Sequence, residues 1–174
     1  MELEKKYSIE TERLRLIPLS LSDVDLCLQI SKFPIHQPGF PEDFDIAESY
    51  IRPSSLDSFA DFGFGTYKLV LKSSGQTIGL GGLNRKPFLK DGVNLHYNIL
   101  PEFRNQGYAI ESINAYLEVA KSLKLGKAYA CIDPKNIKSL SLIEKLNFTL
   151  ENENLKFSRI QCDLQTVKCY SILV

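Results

Sequence analysis

Apolar residues in this 174-residue chain recur at two spacings, every second position and every third or fourth, and the two regimes take turns along the sequence. The run TERLRLIPLS (11–20) sets Leu14, Leu16 and Pro18 on one side with charge between them, the period of a half-buried strand. LSDVDLCLQI follows, where Ser22 is placed to cap a short helix carrying Asp23 and Asp25 in its first turn. Residues 33–65 are broken by Pro34, Pro38, Pro41 and Pro53, with a helix expected near 42–51 and SFADFGFG trailing it. TYKLVLK (66–72) and TIGLGGLNR (77–85) read as strands joined by the turn SSGQ. A second connection, KPFLKDG, leads into VNLHYNIL (93–100). There Val93, Leu95, Tyr97 and Ile99 share one face, and Asn94, His96 and Asn98 the other.

From Ile110 the period lengthens. Ile113, Leu117, Ala120 and Leu123 recur at helical spacing, and Gly126 is the expected stop. KAYACI (127–132) reads as a buried strand, with Cys131 a small core residue. DPKN then turns into a second amphipathic helix with Leu140, Ile143 and Leu146 on one face, and strands are expected near 148–158 and 165–173. Strand, helices, three strands, helix, strand, helix and two strands make a mixed α/β sheet in one domain over residues 1–174.

Composition narrows the function classes. Lys+Arg and Asp+Glu both number 21, so the chain lacks the basic excess of a general nucleic-acid binder. No apolar run nears the roughly 20 residues that span a bilayer, and MELEKKYSIE has no secretory h-region, so a cytoplasmic protein is expected. Cys27, Cys131, Cys162 and Cys169 form no CxxC and have no histidine at metal spacing, the histidines being His36 and His96. Reduced thiols and no metal site are expected.

The chemistry concentrates in FRNQGYAIES (103–112), a polar glycine turn that feeds a helix without Ser, Thr, Asp or Pro to start it. A helix N-terminus left uncapped beside an arginine is an anion site in waiting. The glycines of GLGG (79–82) have the wrong spacing for a dinucleotide loop, and a bulge or close strand packing is expected there.

Arg104-Asn105-Gln106-Gly107-Tyr108-Ala109 fits the pattern R/Q-x-x-G-x-G/A, and DPKNIKSLSLIEKLNF (133–148) has an Asn followed three residues later by Ser and then by K-x-N-F. With these motifs the chain resembles the GNAT superfamily of N-acetyltransferases, and within it the ribosomal-protein-alanine N-acetyltransferase-like (Rim-type) branch, over nearly its whole length. The resemblance implies an α/β (α+β) GNAT-like fold, a mixed and mostly antiparallel central sheet flanked by helices. It implies acetyl-CoA as cosubstrate and a primary amine as acceptor, either a protein N-terminus or a small molecule, in a monomer or homodimer without a nucleic-acid or membrane partner.

By position, the pyrophosphate loop would be Arg104, Asn105, Gln106, Gly107, Tyr108 and Ala109. Backbone groups of Tyr97, Asn98 and Ile99 would pair with the pantetheine arm where the strand splays from its neighbour, and one of their N–H groups would polarise the thioester carbonyl. Asn136 matches the family's pantetheine-bonding Asn, and it suits an N-cap as well. Ser139 matches the donor to the leaving sulfur, since the helix carries Leu142-Ile143 where many relatives have a Tyr. Asn94 stands where many Rim-type sequences have a Glu, leaving His96 as the nearest titratable base, with a water wire as the other route for the proton. Asn147 replaces the glycine of K-x-G-F and tolerates the same left-handed backbone. Between residues 31 and 65, Glu42, Asp43, Asp45, Glu48, Asp57 and Asp61 face only Lys32 and Arg52, an acidic stretch that would favour a cationic acceptor if it walls the cleft.

Overall fold

The computed structural model describes residues 2–31, 47–157 and 165–174. Helix α1 (Glu2–Tyr7) leads into a two-residue strand β1 (Ile9–Glu10) and then β2 (Leu14–Pro18). A 3₁₀ turn (Leu21–Asp23) opens α2 (Val24–Ser31). Wide π-helical turns over Ala47–Leu56, with Pro53 inside them, run into α3 (Asp57–Phe62). Strands β3 (Thr66–Leu71), β4 (Thr77–Asn84) and β5 (Gly92–Ile99) follow, then α4 (Tyr108–Ser122), β6 (Lys127–Ile132), α5 (Ile137–Lys145), β7 (Thr149–Phe157) and β8 (Gln165–Leu173).

The strands form one sheet in the order β1-β2-β3-β4-β5-β6-β8-β7. All neighbours are antiparallel except β5 and β6. That parallel step needs a crossover, and α4 supplies it. On one face Val93, Leu95 and Ile99 of β5 pack in a common core with Ile113, Tyr116 and Ala120 of α4 and with Leu140 and Ile143 of α5. On the other face Leu80 and Leu100 pack with Cys27 and Ile30 of α2 and with Ile51. Both faces are covered, which is why Asn94 and Asn98 are buried along with their apolar neighbours.

The glycines of GLGG serve close packing. A Cβ at Gly79 would lie 2.1 Å from the Asn98 carbonyl oxygen and one at Gly82 2.1 Å from that of Gly65. No other residue fits between these strands.

Several expectations shift. The helix after β2 is capped from Ser20 and not Ser22: the Asp23 carboxylate accepts from the Ser20 backbone N–H and hydroxyl, both at 2.8 Å. Helices α1 and α3 were not expected. The helix expected near 42–51 begins outside the described residues, which also exclude His36 and Cys162. Helix α4 stops at Ser122, short of Gly126, because Lys124 takes the left-handed position (φ 53°) and the Leu125 N–H reaches back to the Ala120 carbonyl at 3.0 Å. Leu123 is consequently exposed. Asn147 adopts the left-handed conformation expected of it, with φ 61°. No helix among the described residues is long and apolar enough to cross a membrane.

Candidate functional site

Strands β5 and β6 pair only from Gly92↔Lys127 to Asn94↔Tyr129. Beyond that point β5 stays bonded to β4 as far as Ile99, and β6 stays bonded to β8 as far as Ile132. The inner edges of both strands are therefore left open to each other in a V. Tyr97, Asn98 and Ile99 lie on one lip of that V, and Ala130 to Ile132 on the other.

The loop 104–107 follows the open end of β5 and starts α4. Its backbone turns left-handed twice, at Asn105 (φ 60°) and at the N-cap Gly107 (φ 84°). Left-handed φ suits glycine, and asparagine more than most side chains. No side chain caps α4. Among the described residues no backbone bond runs from the N–H groups of 107–110 to a protein acceptor, and the first bond back into the loop is Glu111 N–H to the Gly107 carbonyl at 3.1 Å. Arg104 is exposed and anchored by one atom, its Nε donating to the Ile99 carbonyl at 2.8 Å.

Arg13, which sequence reasoning missed, holds this loop in place. Its Nη1 donates to the Gln106 carbonyl at 2.9 Å, its Nε pairs with Glu111 at 2.7 Å, and its guanidinium lies 4.5 Å from the centre of the Tyr108 ring. The Thr11 hydroxyl and the Arg13 backbone N–H take the other Glu111 oxygen. Burial works to raise the Glu111 pKa, but these donors outweigh it and hold the carboxyl below its ordinary value. These partners lie almost a hundred residues apart, so no local pattern announces them.

At the start of α5, Asn136 is the N-cap, its side-chain oxygen accepting from the Ser139 N–H at 3.2 Å. Ser139 stands half-buried one turn into the helix. It has a neighbour that sequence reasoning also missed. The Tyr97 hydroxyl is buried and has no hydrogen-bond partner among the described residues. Burial raises its pKa, and the nearby Ser139 side chain opposes that rise, although the contact falls short of a hydrogen bond. Tyr97 thus brings an unpaired donor to Ser139 from the strand face that also packs α4 and α5.

His96, expected as a candidate base, sits on the opposite face in a chain of neutral groups. The Asn94 amide donates to Asn84 Oδ1 at 3.2 Å, which turns the Asn84 amide nitrogen toward His96 Nδ1 at 3.5 Å. Nε2 lies 3.2 Å from Thr66 Oγ1. With Nδ1 accepting and Nε2–H donating, both ring nitrogens are engaged. Burial, helped by the charge of Lys86, pushes the imidazolium pKa down to about 3. Such a ring is neutral at working pH and a poor proton acceptor, so the geometry speaks against the base role.

The acidic stretch is only partly within the described residues; of it, Asp57 and Asp61 stand exposed on α3.

Comparison with known proteins identifies the architecture. The acetyltransferase (GNAT) domain family matches residues 13–149. The chain belongs to the GNAT acetyltransferase family. A curated relative, the uncharacterized N-acetyltransferase p20 of Bacillus licheniformis, is 22% identical over 95% of this chain and 96% of its own. The ribosomal-protein-S5-alanine acetyltransferase of Vibrio fischeri superposes with a TM-score of 0.72 at 21% identity, covering 95% of this chain and 96% of that one. A mutant spermidine N-acetyltransferase of Vibrio cholerae superposes with a TM-score of 0.73 at 22% identity, covering 94% and 95%. At these identities the two structures share this GNAT fold, and their acceptors remain their own. The V between β5 and β6 and the uncapped α4 thus occur in a GNAT acetyltransferase domain.

Proposed function

We propose that this GNAT protein is a cytoplasmic N-acetyltransferase that takes acetyl-CoA as cosubstrate and acetylates a primary amine by direct attack. The observation that carries this reading is a juxtaposition: the open inner edge of β5 after Asn94 leads straight to the uncapped N-terminus of α4. An extended, amide-bearing arm ending in a pyrophosphate needs both, in that order. Backbone donors at 105–109, the α4 dipole and the exposed Arg104 would offset the phosphate charge. The open edge of Tyr97–Ile99 would pair with the pantetheine, and the Asn136 amide nitrogen remains to donate to it while the amide oxygen caps α5.

Acetyl-CoA would supply the activated thioester. The chain's part is to orient it, to present a β5 backbone N–H to the thioester carbonyl, and to donate to the departing sulfur. Ser139 fills the last role, backed by the Tyr97 hydroxyl. Burial keeps Tyr97 protonated and so a donor. With Asn94 an amide and His96 held neutral, the amine proton leaves through water.

An acetyl-CoA-binding module with weak turnover is the second reading, and the lack of a titratable base at 94 and 96 favours it. The ribosomal-protein and spermidine enzymes of the same fold suggest the acceptor panel: peptide N-termini and polyamines. Calorimetry with acetyl-CoA, run beside a free-thiol assay for CoA release on that panel, tests both readings. Micromolar binding with amine-dependent release is expected. Binding without release on any amine selects the module, and no binding overturns both.

A further inference from the structure

We propose that Cys131 and Cys169 form a redox-active dithiol, a modification site that hydrogen peroxide or a similar two-electron oxidant converts to an intrachain disulfide. The two residues lie directly opposite each other on adjacent antiparallel strands, β6 and β8. Their sulfurs are 3.5 Å apart. Directly opposed residues in an antiparallel pair have Cα atoms about 4.5 or 5.5 Å apart, depending on the hydrogen-bond register. Either spacing lies inside the range of about 4.4–6.8 Å that a disulfide spans, so closure to an S–S bond of about 2 Å needs side-chain rotation without strand movement.

Access and reactivity agree with this. Cys131 is half-buried, while Cys169 is 3% exposed. Either thiol can donate across this contact, and a hydrogen bond from Cys131 lowers the Cys169 pKa. Cys27 is the contrast: fully buried in the α2 core, its thiol is pushed up to about 12 by burial, with the charge of Asp23 adding to the rise. A thiophilic metal is a poorer occupant, because among the described residues no group of three or more His, Cys, Asp or Glu gathers to complete a ligand set.

The step balances. One thiolate attacks a peroxide oxygen, the O–O bond breaks, and a sulfenic acid forms with release of hydroxide, which takes up the thiol's proton as water. The second sulfur attacks the sulfenic sulfur, the S–S bond forms, the S–O bond breaks, and a second water leaves. Two thiols are oxidised and one peroxide is reduced to two waters. A small thiol reverses the reaction by exchange. Cys131 lies on the β6 lip, two residues past the last β5–β6 pair, so the bond would tie that lip to β8.

The test treats the full chain carrying Cys162→Ser, so that the remaining cysteines are Cys27, Cys131 and Cys169, with a few equivalents of hydrogen peroxide. Thiols are then blocked, and the chain is denatured and mapped by mass spectrometry. The expected result is a loss of two thiols per chain, a linked peptide pair containing Cys131 and Cys169, and full recovery with dithiothreitol. In Cys131→Ser or Cys169→Ser the linked peptide should vanish. The wild-type chain mapped in the same way gives the answer should any variant fold poorly. Retention of all thiols, oxygen adducts on single cysteines without the linked pair, or a disulfide joining separate chains would each overturn the proposal.

Discussion

His96 yields a prediction whose size follows from the structure. Its imidazolium pKa is driven down to about 3 in the fold, against about 6.5 in an unfolded chain. The unfolded chain therefore binds a proton below about pH 6.5 that the folded chain refuses until pH 3. The native state loses stability as pH falls through that window. At pH 7 the effect is about 0.2 kcal/mol, and at pH 5 about 2 kcal/mol. The second figure hardly depends on the exact folded value, since a native pKa of 4 gives nearly the same loss at pH 5. Urea unfolding at pH 7 and pH 5 would be followed by far-UV circular dichroism, because the chain contains no tryptophan. His96→Gln removes the titrating ring and shares every other group, so its stability should fall less than the wild type's over this interval, by about 2 kcal/mol. Curves that stay parallel within about 0.5 kcal/mol would refute the reasoning. They would mean that the ring takes up its proton inside the fold, and would bring back His96 as the base.

Gly107→Glu should weaken acetyl-CoA binding at least tenfold while the chain still folds. Its Cβ would sit 3.2 Å from an Arg13 guanidinium nitrogen at φ 84°, and its carboxylate would occupy the phosphate approach; unchanged affinity by calorimetry would remove the loop from the cofactor site. Ser139→Ala and Tyr97→Phe should each lower kcat about tenfold with a smaller change in the acetyl-CoA KM, and the double variant should be little worse than the worse single. Full kcat in both would leave the pair with no role in chemistry. Lys124→Gly should raise stability by about 0.5–1 kcal/mol, since Lys124 holds the left-handed helix-end position at φ 53°; no gain in urea midpoint would count against that backbone geometry.

What could be read from the chain follows the range of the forces involved. The strands of 66–71, 77–84, 92–99 and 127–132 were legible because their side-chain alternation and turns are local. The uncapped start of α4 was legible because a helix start without a capping side chain is defined by what is absent within six residues. The Ser20–Asp23 cap was within reach too, as S-x-x-D, but a serine two positions later competes for the same reading. Helix α1 hides because six residues give its pattern no second turn to repeat, and α3 because aromatic and glycine residues in SFADFGFG suggest a loop. The Arg13 clamp, the Tyr97–Ser139 contact and the Cys131–Cys169 pair depend on strand register and packing, which the local sequence does not carry. Cys131 shows the cost: in YACI it reads as core, yet it faces its strand partner from a half-open surface.

The Arg13 clamp also accounts for a feature of α4 that the loop alone leaves unexplained. Glu111 lies in the first turn of α4, where a carboxylate normally stabilises the helix by neutralising its positive end. Left free there, it would sit at the positive end of the helix and repel an incoming anion. Instead both of its oxygens are engaged by Thr11 and Arg13 from the corner before β2. The same guanidinium bonds the Gln106 carbonyl, fixing that peptide on its carbonyl side. So the one negative charge in the first turn is neutralised by a partner outside the helix, and the Gln106 carbonyl is taken up by the same residue. The N–H groups at the start of α4 are then left with neither an internal cap nor a competing anion, the state a phosphate-binding helix requires.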